Sequence, residues 1–333
     1  MIARYAIPFF MIMGLVVVPL LLVLLCRWLM PRRHWRKGAI ACTLIVWGLV
    51  LYGHLIGYQQ LEVHRYDYVS ADLPQAFDGY RIVQFSDAHV GTMTGSRQWL
   101  LQRAIDSINA LQPDVIVFTG DLQNLHPDEL REHMSVLRQL QAKDGVYSIL
   151  GNHDYPTYLD CDEATKASLV KQTIKFEREM GWKLLLNEHS IVRRDSDSIV
   201  IAGMENWGSM KRMPRKGDVK KTLAGLPPQL LTPSLHSSCP FVIMLQHDPS
   251  AWDEKILPEC QAQLTLSGHT HGGQFELFGW SPASLSYKEW GGWTYKDGRA
   301  LYVSTGLGAL IPFRLGMPGE IVQITLKSLN FEH

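Results

Sequence analysis

Hydrophobic and polar positions divide the chain at about residue 58. Residues 8–30 read PFFMIMGLVVVPLLLVLLCRWLM, with Arg27 as the only charge, and residues 38–58 read GAIACTLIVWGLVLYGHLIGY with none. Each run reaches the roughly 20 residues that a helix needs to cross a bilayer core. A cleavable secretion signal competes for the first run, but the run exceeds an h-region of about 7–15 residues and no small-residue cleavage site follows it. Residues 1–58 are therefore expected to form a membrane anchor of two transmembrane helices. His54 lies near the end of the second, where a polar tip reaches the headgroups at little cost.

Beyond residue 58 the pattern changes. Residues 59–80 (QQLEVHRYDYVSADLPQAFDGY) are polar and aperiodic in stretches and read as a linker. From residue 81 to 333, short apolar runs rich in β-formers alternate with amphipathic stretches, which predicts an α/β layered domain. Strands are expected at 81–87, 114–121, 146–154, 198–206, 241–248, 262–271, 300–306 and 320–326. Helices are expected at 96–111, 128–141 and 164–180, the first opened by Ser96 as N-cap and closed by Gln112-Pro113. Gly, Pro and Lys cluster at 208–240, a loop-rich insertion whose basic residues read as a solvated face.

Composition narrows the function classes. The chain is 46% hydrophobic and 19% charged, which is globular, and 32 Lys+Arg against 32 Asp+Glu leave no basic field for nucleic acid. The local distribution of charge is more informative than the total. Arg27, Arg32, Arg33, Arg36 and Lys37 crowd the short connection between the two apolar runs, whereas the competing flanks offer only Arg4, the α-amino group and Arg65. The positive-inside rule puts that connection in the cytoplasm, which makes the chain a multi-pass protein of the inner membrane with an extracytoplasmic catalytic domain. Five cysteines are no disulfide framework: Cys26 and Cys42 lie in the spans, and Cys239 with Cys260 either pair or serve as buried apolar residues.

Five strand candidates end in side chains that can ligate metal: Asp87 and His89, Asp121, Asn152 with His153 and Asp154, His247, and His269 with His271. A single Asp at a strand end is ordinarily a turn residue, and a single His is ordinarily a core or surface group. In an open α/β sheet, however, the carboxyl ends of the strands share one rim, so residues far apart in sequence converge there.

The ordered motifs Asp87-Ala88-His89, Gly120-Asp121, Gly151-Asn152-His153-Asp154, His247 and Gly268-His269-Thr270-His271 resemble the calcineurin-like metallophosphoesterase family, over about residues 81–326. Gly272-Gly273-Gln274 and the later STGLG and PFRLGMPGEI stretches are similar to its membrane-tethered bacterial members. The resemblance implies a layered β-sandwich flanked by helices and a hydrolase with two divalent ions. By position, Asp87, His89 and His271 would hold one ion, Asn152, His247 and His269 the other, and Asp121 would bridge. Oxygen and imidazole donors without a thiolate suit Mn²⁺, Fe, Zn²⁺ or Co²⁺, and two ions about 3.5–4 Å apart hold both oxygens of an in-line displacement by metal-activated water. His153 would contact the phosphate and protonate the leaving oxygen. Family members often carry an Asp to pair with it where this chain has Asn124, an amide that orients imidazole without stabilising imidazolium; Asp154 is then the other catalytic candidate.

Gly120-Asp121-Leu122-Gln123-Asn124-Leu125-His126 lacks the arginine of the family's phosphoprotein phosphatases, which disfavours that activity. The aromatic and glycine-rich stretches 275–295 and 311–318 could cover the acyl or sugar part of a lipid-linked substrate, with Arg314 the nearest cation for a phosphate clamp. The expected function is a membrane-anchored phosphohydrolase cleaving a phosphodiester or pyrophosphate of a phosphorylated, lipid or lipid-linked substrate beside the bilayer. Its alternatives are a UDP-2,3-diacylglucosamine-type pyrophosphohydrolase, which would need the opposite orientation, and a catalytically silent scaffold, against which stands the complete ligand set.

Overall fold

Short runs of β-branched and aromatic residues, buried on both faces, build two six-stranded sheets that pack face to face. The computed structural model describes residues 13–31, 33–232 and 239–329; Arg4, Arg32, residues 8–12 of the first apolar run and 233–238 of the expected insertion lie outside the described residues. One sheet has the order β1 (Leu61–Ser70), β12 (Gly319–Ser328), β2 (Arg81–Phe85), β3 (Val115–Phe118), β4 (Val146–Ser148), β5 (Lys183–Leu184). The other has the order β10 (Gly292–Lys296), β11 (Arg299–Val303), β9 (Leu264–Ser267), β8 (Phe241–Leu245), β7 (Asp197–Gly203), β6 (Glu188–Arg194). Strands β2 to β5 run parallel, as do β11, β9, β8 and β7, so each sheet presents a block of carboxyl ends.

Side-chain alternation divides the core. Ile82 points between the sheets to meet Val117, Ile243 and Leu266, while Val83 and Phe85 point outward beneath Leu101, Ile105 and Ile108 of the Gln98–Ala110 helix. On the far side, Val242, Met244 and Val303 pack around Trp252. Full burial of each such residue contributes roughly 1.5–3 kcal/mol, which is why the sheets hold register while the loops at their rim carry polar residues.

All eight expected strands form; seven are shorter than their runs because the last residues leave the sheet to make the rim, and β12 (Gly319–Ser328) is longer than its expected 320–326. Two helix expectations need correction. The Gln98–Ala110 helix starts after a 3₁₀ turn, with Arg97 at the N-cap position and no side-chain cap, so Ser96 does not cap it. The expected 128–141 helix is two short pieces, Asp128–Arg131 and Met134–Leu137, separated where the backbone tightens to i→i−3 bonds at His133. The third helix forms as Glu163–Glu179, capped by Asp162, which accepts from the Thr165 N–H at 2.8 Å.

The stretch expected as a linker contains β1, which pairs in parallel with β12 over its whole length, from Leu61 beside Gly319 to Ser70 beside Ser328. Tyr66 and Tyr68, two residues apart on one face, pack on Trp293 at 5.8 and 6.0 Å between ring centroids, a period-two aromatic signal present in the sequence. The other strands the sequence reading missed, β5, β6 and β10, lie at or next to sheet edges, where alternation is diluted by polar residues.

Among the described residues one helix, Trp35–Gln59, is long and apolar enough to cross a membrane; Met13–Leu29 is apolar but shorter. They lie against each other, with Trp47 Nε1 donating to the Leu15 carbonyl at 3.0 Å. The Trp35–Gln59 helix joins the domain through direct hydrogen bonds. Arg314 N–H donates to the Gly53 carbonyl at 3.1 Å, His54 Nδ1 sits 2.7 Å from the Pro312 carbonyl, and Gly319 N–H reaches the Gln60 carbonyl at 2.9 Å. Gly53 is required here, because a Cβ would collide with the Phe313 ring. His54 is thus tied to the domain through the Pro312 carbonyl. Cys239 and Cys260 are free thiols, both buried in the cluster around Trp252.

Candidate metal centre

The carboxyl ends of β2, β3, β4, β8 and β9 bring all of the expected donors to one rim. The turns that carry them are held in unusual backbone conformations: φ is +51° at Asp87, +41° at His89, +61° at Asp121, +73° at His269 and +54° at His271. Left-handed conformations are costly for residues with a Cβ and persist where surrounding structure enforces them, typically at functional sites. Glycines provide the room. At Gly120, with φ of +98°, a Cβ would stand 2.5 Å from the Gly151 nitrogen, and at Gly268 it would overlap an Asp87 carboxylate oxygen.

Two clusters of donor atoms result, Asp87 with His89 and His271, and Asp121 with His247 and His269. In the first, His89 Nε2 and His271 Nε2 face each other at 3.1 Å and His271 Nε2 is 3.4 Å from Asp87 Oδ1. In the second, His247 Nε2 lies 3.1 Å from Asn152 Oδ1, 3.3 Å from His269 Nδ1 and 3.2 Å from Asp121 Oδ2. That same Asp121 oxygen is 3.7 Å from His89 Nε2 in the first cluster. The other, Oδ1, is already taken, accepting the His153 N–H at 2.7 Å. One carboxylate oxygen therefore stands between the clusters.

The orientation of the donors fits cations. His247 Nδ1 is 2.7 Å from the Thr119 carbonyl, which orients the ring so that Nε2 faces Asn152 and Asp121, both acceptors. Asn152 is turned by its amide nitrogen donating to Tyr158 at 2.9 Å, and His269 Nε2 is held 2.6 Å from the Tyr287 hydroxyl. Donor atoms thus converge on one space, where, against the desolvation of its burial, Asp121 and Asp87 raise His247 to about 10, a proton standing where a cation would, and Nδ1 of both His89 and His271 is buried without a well-formed hydrogen bond. Burial pushes His89 down to about 3 and His269 to about 4, which keeps both rings neutral and able to ligate. Against the desolvation of its burial, the His247, His153 and His89 rings hold the Asp121 carboxyl well below the usual carboxylate range.

Asp154 does not face this space. Its two oxygens accept the backbone N–H groups of Asp121, Leu122, Gln123 and Gly151 at 2.8 to 3.3 Å, clamping the turn after β3 to the turn after β4. A carboxylate so engaged positions Asp121 and Asn152 rather than reacting, which replaces the catalytic role expected for it. His153 does line the cavity. Its Nδ1 is 2.6 Å from the main-chain carbonyl of Asn124, so the backbone orients the imidazole, not the Asn124 amide as expected. The amide turns toward His89, facing its Nδ1 without a well-formed hydrogen bond.

In front of the donors is a cavity of about 550 Å³, with Asp121, Asn152 and His153 on its floor and Arg212, Tyr287 and Phe313 on its walls. Arg314 is not among them. It is fully buried, and its guanidinium donates to the carbonyls of Thr305, Gly306, Gly308, Met317 and Pro318, holding the loop in place. The phosphate-clamp expectation fails because every direction of its fork already has an acceptor. The sequence reading missed Arg212, hidden in a basic run taken as a solvated face. It also missed Tyr287 and Asp248, whose Oδ2 is 3.6 Å from His269 Nε2. Asp248 directly follows His247, a proximity that could have marked it.

With that geometry in place, the class is defined: the chain belongs to the calcineurin-like phosphoesterase family, whose profile matches residues 80–273. It is a hydrolase of phosphoester bonds. An uncharacterized metallophosphoesterase of Bacillus subtilis, YkuE, is 32% identical over 313 residues, covering 90% of this chain and 99% of that protein. A transmembrane protein with metallophosphoesterase domain from Danio rerio is 31% identical over 299 residues, covering 87% of this chain, which spans 63% of the fish protein's length. The UDP-2,3-diacylglucosamine pyrophosphatase LpxG of Chlamydia trachomatis is 26% identical over 305 residues, covering 75% and 85% of the two chains.

Proposed function

We propose that this chain is a membrane-anchored, two-metal phosphohydrolase acting on a phosphodiester or pyrophosphate of a lipid or lipid-linked substrate. The observation that carries the reading is the single Asp121 oxygen shared between two converging donor clusters at the floor of a cavity whose wall, at Phe313, rests on the end of the apolar helix. Asp87, His89 and His271 would hold one divalent ion, Asn152, His247 and His269 the other, and Asp121 both. Two such ions supply Lewis acidity and a hydroxide-like nucleophile at neutral pH.

The chain's own residues do the rest. Asp154 and the His153 N–H fix Asp121 so that only Oδ2 is offered inward. His153, anchored through Nδ1, keeps Nε2 for the cavity; when the ring is protonated, the Nε2–H bond breaks as the leaving oxygen takes the proton. Arg212 offers a cation to phosphate oxygens at the rim, and Leu310, Ile311 and Phe313 offer apolar surface to an alkyl or acyl portion.

The anchor reading rests on the exposed apolar surface of the paired helices, with Leu20, Leu24, Ile40, Leu44 and Leu51 all outward, and on the name of the fish relative. We read both apolar runs as spans, with the 31–37 connection in the cytoplasm and the catalytic domain outside. A C-terminal alkaline phosphatase fusion active in intact bacterial cells is the expected result; a cytoplasm-only fluorescent reporter glowing there overturns the orientation.

The likeness to LpxG supports a second reading, hydrolysis of a UDP-diacylglucosamine pyrophosphate. Full-length protein in detergent, stripped with chelator and reloaded with Mn²⁺, separates the two. Hydrolysis of bis(p-nitrophenyl) phosphate that is lost with chelator and restored with metal is expected, and release of UMP from UDP-diacylglucosamine selects the second reading. Absence of both activities in metal-replete protein overturns the proposal.

A further inference from the structure

We infer that the hairpin after the last histidine motif is a second membrane contact, which seats the mouth of the cavity at the surface of an anionic phospholipid bilayer. The inference rests on the reading that the Trp35–Gln59 helix crosses the membrane.

The hairpin is closed by Leu277 and Trp280, which exchange backbone hydrogen bonds at 3.0 and 3.1 Å. Its tip is Phe278-Gly279, with φ of +53° and +79°. Phe278 is 98% exposed, flanked by half-exposed Leu277 and Trp280 and followed by Leu285 at 78%. A rigid two-residue turn that holds phenylalanine outward in the left-handed region is a poor choice for water and a good one for an apolar medium. Charge is absent from the stretch 277–287, so nothing on it resists insertion.

The position of the hairpin identifies the medium. The Gln274 side chain fastens its base to the loop beside it, accepting from Leu310 N–H at 3.0 Å and donating to the Ile311 and Phe313 carbonyls at 2.8 and 2.6 Å. The backbone adds the bond from Glu276 N–H to the Leu315 carbonyl at 2.8 Å. That loop in turn packs on the last turn of the apolar helix through Phe313 and His54. Around the same helix end stand the residues of a bilayer interface. Half-exposed Trp99 shares a groove with Leu55 and Ile56, Arg97 lies 3.2 Å from His54 Nε2, and Arg103 donates to the Gln59 carbonyl at 3.1 Å. Amphipathic aromatics with cations at the end of an apolar helix match the headgroup level, and the cations select anionic lipid. The site would then take a phosphoester while its apolar tails stay in the membrane.

The test uses full-length protein in vesicles of phosphatidylethanolamine with phosphatidylglycerol. A Phe278→Cys variant, with Cys26→Ser, Cys42→Ser and Cys161→Ser to remove the partly exposed thiols, is labelled with an environment-sensitive fluorophore and compared with the same label at Asp195→Cys in the same background, on the exposed β6–β7 turn. Blue-shifted emission at position 278, quenched by spin-labelled lipid while position 195 is not, is expected. Equal quenching at the two positions overturns the inference, whatever the activity. In parallel, Phe278→Asp should reduce hydrolysis of a dialkylglycerol p-nitrophenyl phosphodiester in those vesicles roughly tenfold, leaving bis(p-nitrophenyl) phosphate turnover unchanged. Equal losses on both substrates also overturn it. Lack of either activity in the unmodified protein strikes the proposed function instead, and the label still reports whether the hairpin is in lipid.

Discussion

The two sides of the cavity are built by different means. The donor side stands on the ends of five buried parallel strands, where the backbone is held in left-handed turns and fixed by glycine contacts and by the Asp154 clamp. The opposite side is made of connections, residues 208–213, 272–290 and 305–314, each fastened by side chains to main-chain carbonyls: Arg215 to Gly208 and Ser209, Gln274 to Ile311 and Phe313, and the buried Arg314 guanidinium to five carbonyls of 305–318. A wall of strand ends holds the sub-ångström placement that metal chemistry needs, while a wall of loops can vary to suit the organic part of a substrate without disturbing that placement. Substitutions on the donor side should therefore remove chemistry, and substitutions on the loop side should change stability or substrate choice.

The sharpest test of the donor side is Asp121→Asn. Asp121 Oδ2 stands between both clusters, and its charge offsets the mutual repulsion of two cations. Activity should fall by more than the roughly 10²–10³-fold typical of losing one transition-state donor, and by more than for Ala at any single ligating histidine. Metal content measured by elemental analysis should fall with it. Two ions per chain with near-normal turnover would remove Asp121 from the shared position.

His153→Ala should leave the metals bound and lower kcat. For an alkyl leaving group, a positioned acid is worth about 10²–10⁴-fold. For a nitrophenyl ester, whose oxygen departs without a proton, the loss should be much smaller. Equal losses on the two esters would show that His153 only places the phosphate.

Arg314→Lys tests the loop side. A lysine cannot reach the five carbonyls, so buried acceptors lose their donors and unfolding stability should drop by about 3 kcal/mol, seen as a lower Tm. Turnover of bis(p-nitrophenyl) phosphate by the folded fraction should change far less. A raised KM with unchanged Tm would restore the phosphate-clamp reading that the buried geometry rejects.

The same division decides how much the sequence revealed. Strands buried on both faces announce themselves as continuous apolar runs, so β2, β3, β4, β8 and β9 were legible, and with them the order of Asp87, His89, Asp121, Asn152, His153, His247, His269 and His271. Roles that depend on direction were not legible. Asp154 sits in the same motif as Asn152 and His153, yet only the folded turn shows its oxygens facing backbone amides. Arg314 and Arg212 are alike in composition, and burial separates them into a loop fastener and a rim cation. The strand β1 was obscured because Glu62, His64, Arg65 and Asp67 dilute its alternation, a common property of sheet edges.

The smallest expected effect belongs to Asn124→Ala. Where a carboxylate side chain orients the imidazole, its loss would mimic the loss of His153, with the same dependence on the leaving group. Here the Nδ1 partner is the main-chain carbonyl, which alanine retains, and the backbone at this turn stays fixed because the Asn124, Leu125 and His126 N–H groups all donate to the Glu129 carboxylate at 2.6 to 3.1 Å. Losing a well-bonded partner of a ligand ordinarily costs about 10–100-fold in metal affinity or activity. The Asn124 amide makes no such bond, so the cost should lie below that range, with the ratio of alkyl to nitrophenyl ester rates unchanged. A fall in kcat confined to the alkyl ester would show that the side chain governs His153 after all, and that the carbonyl contact is incidental.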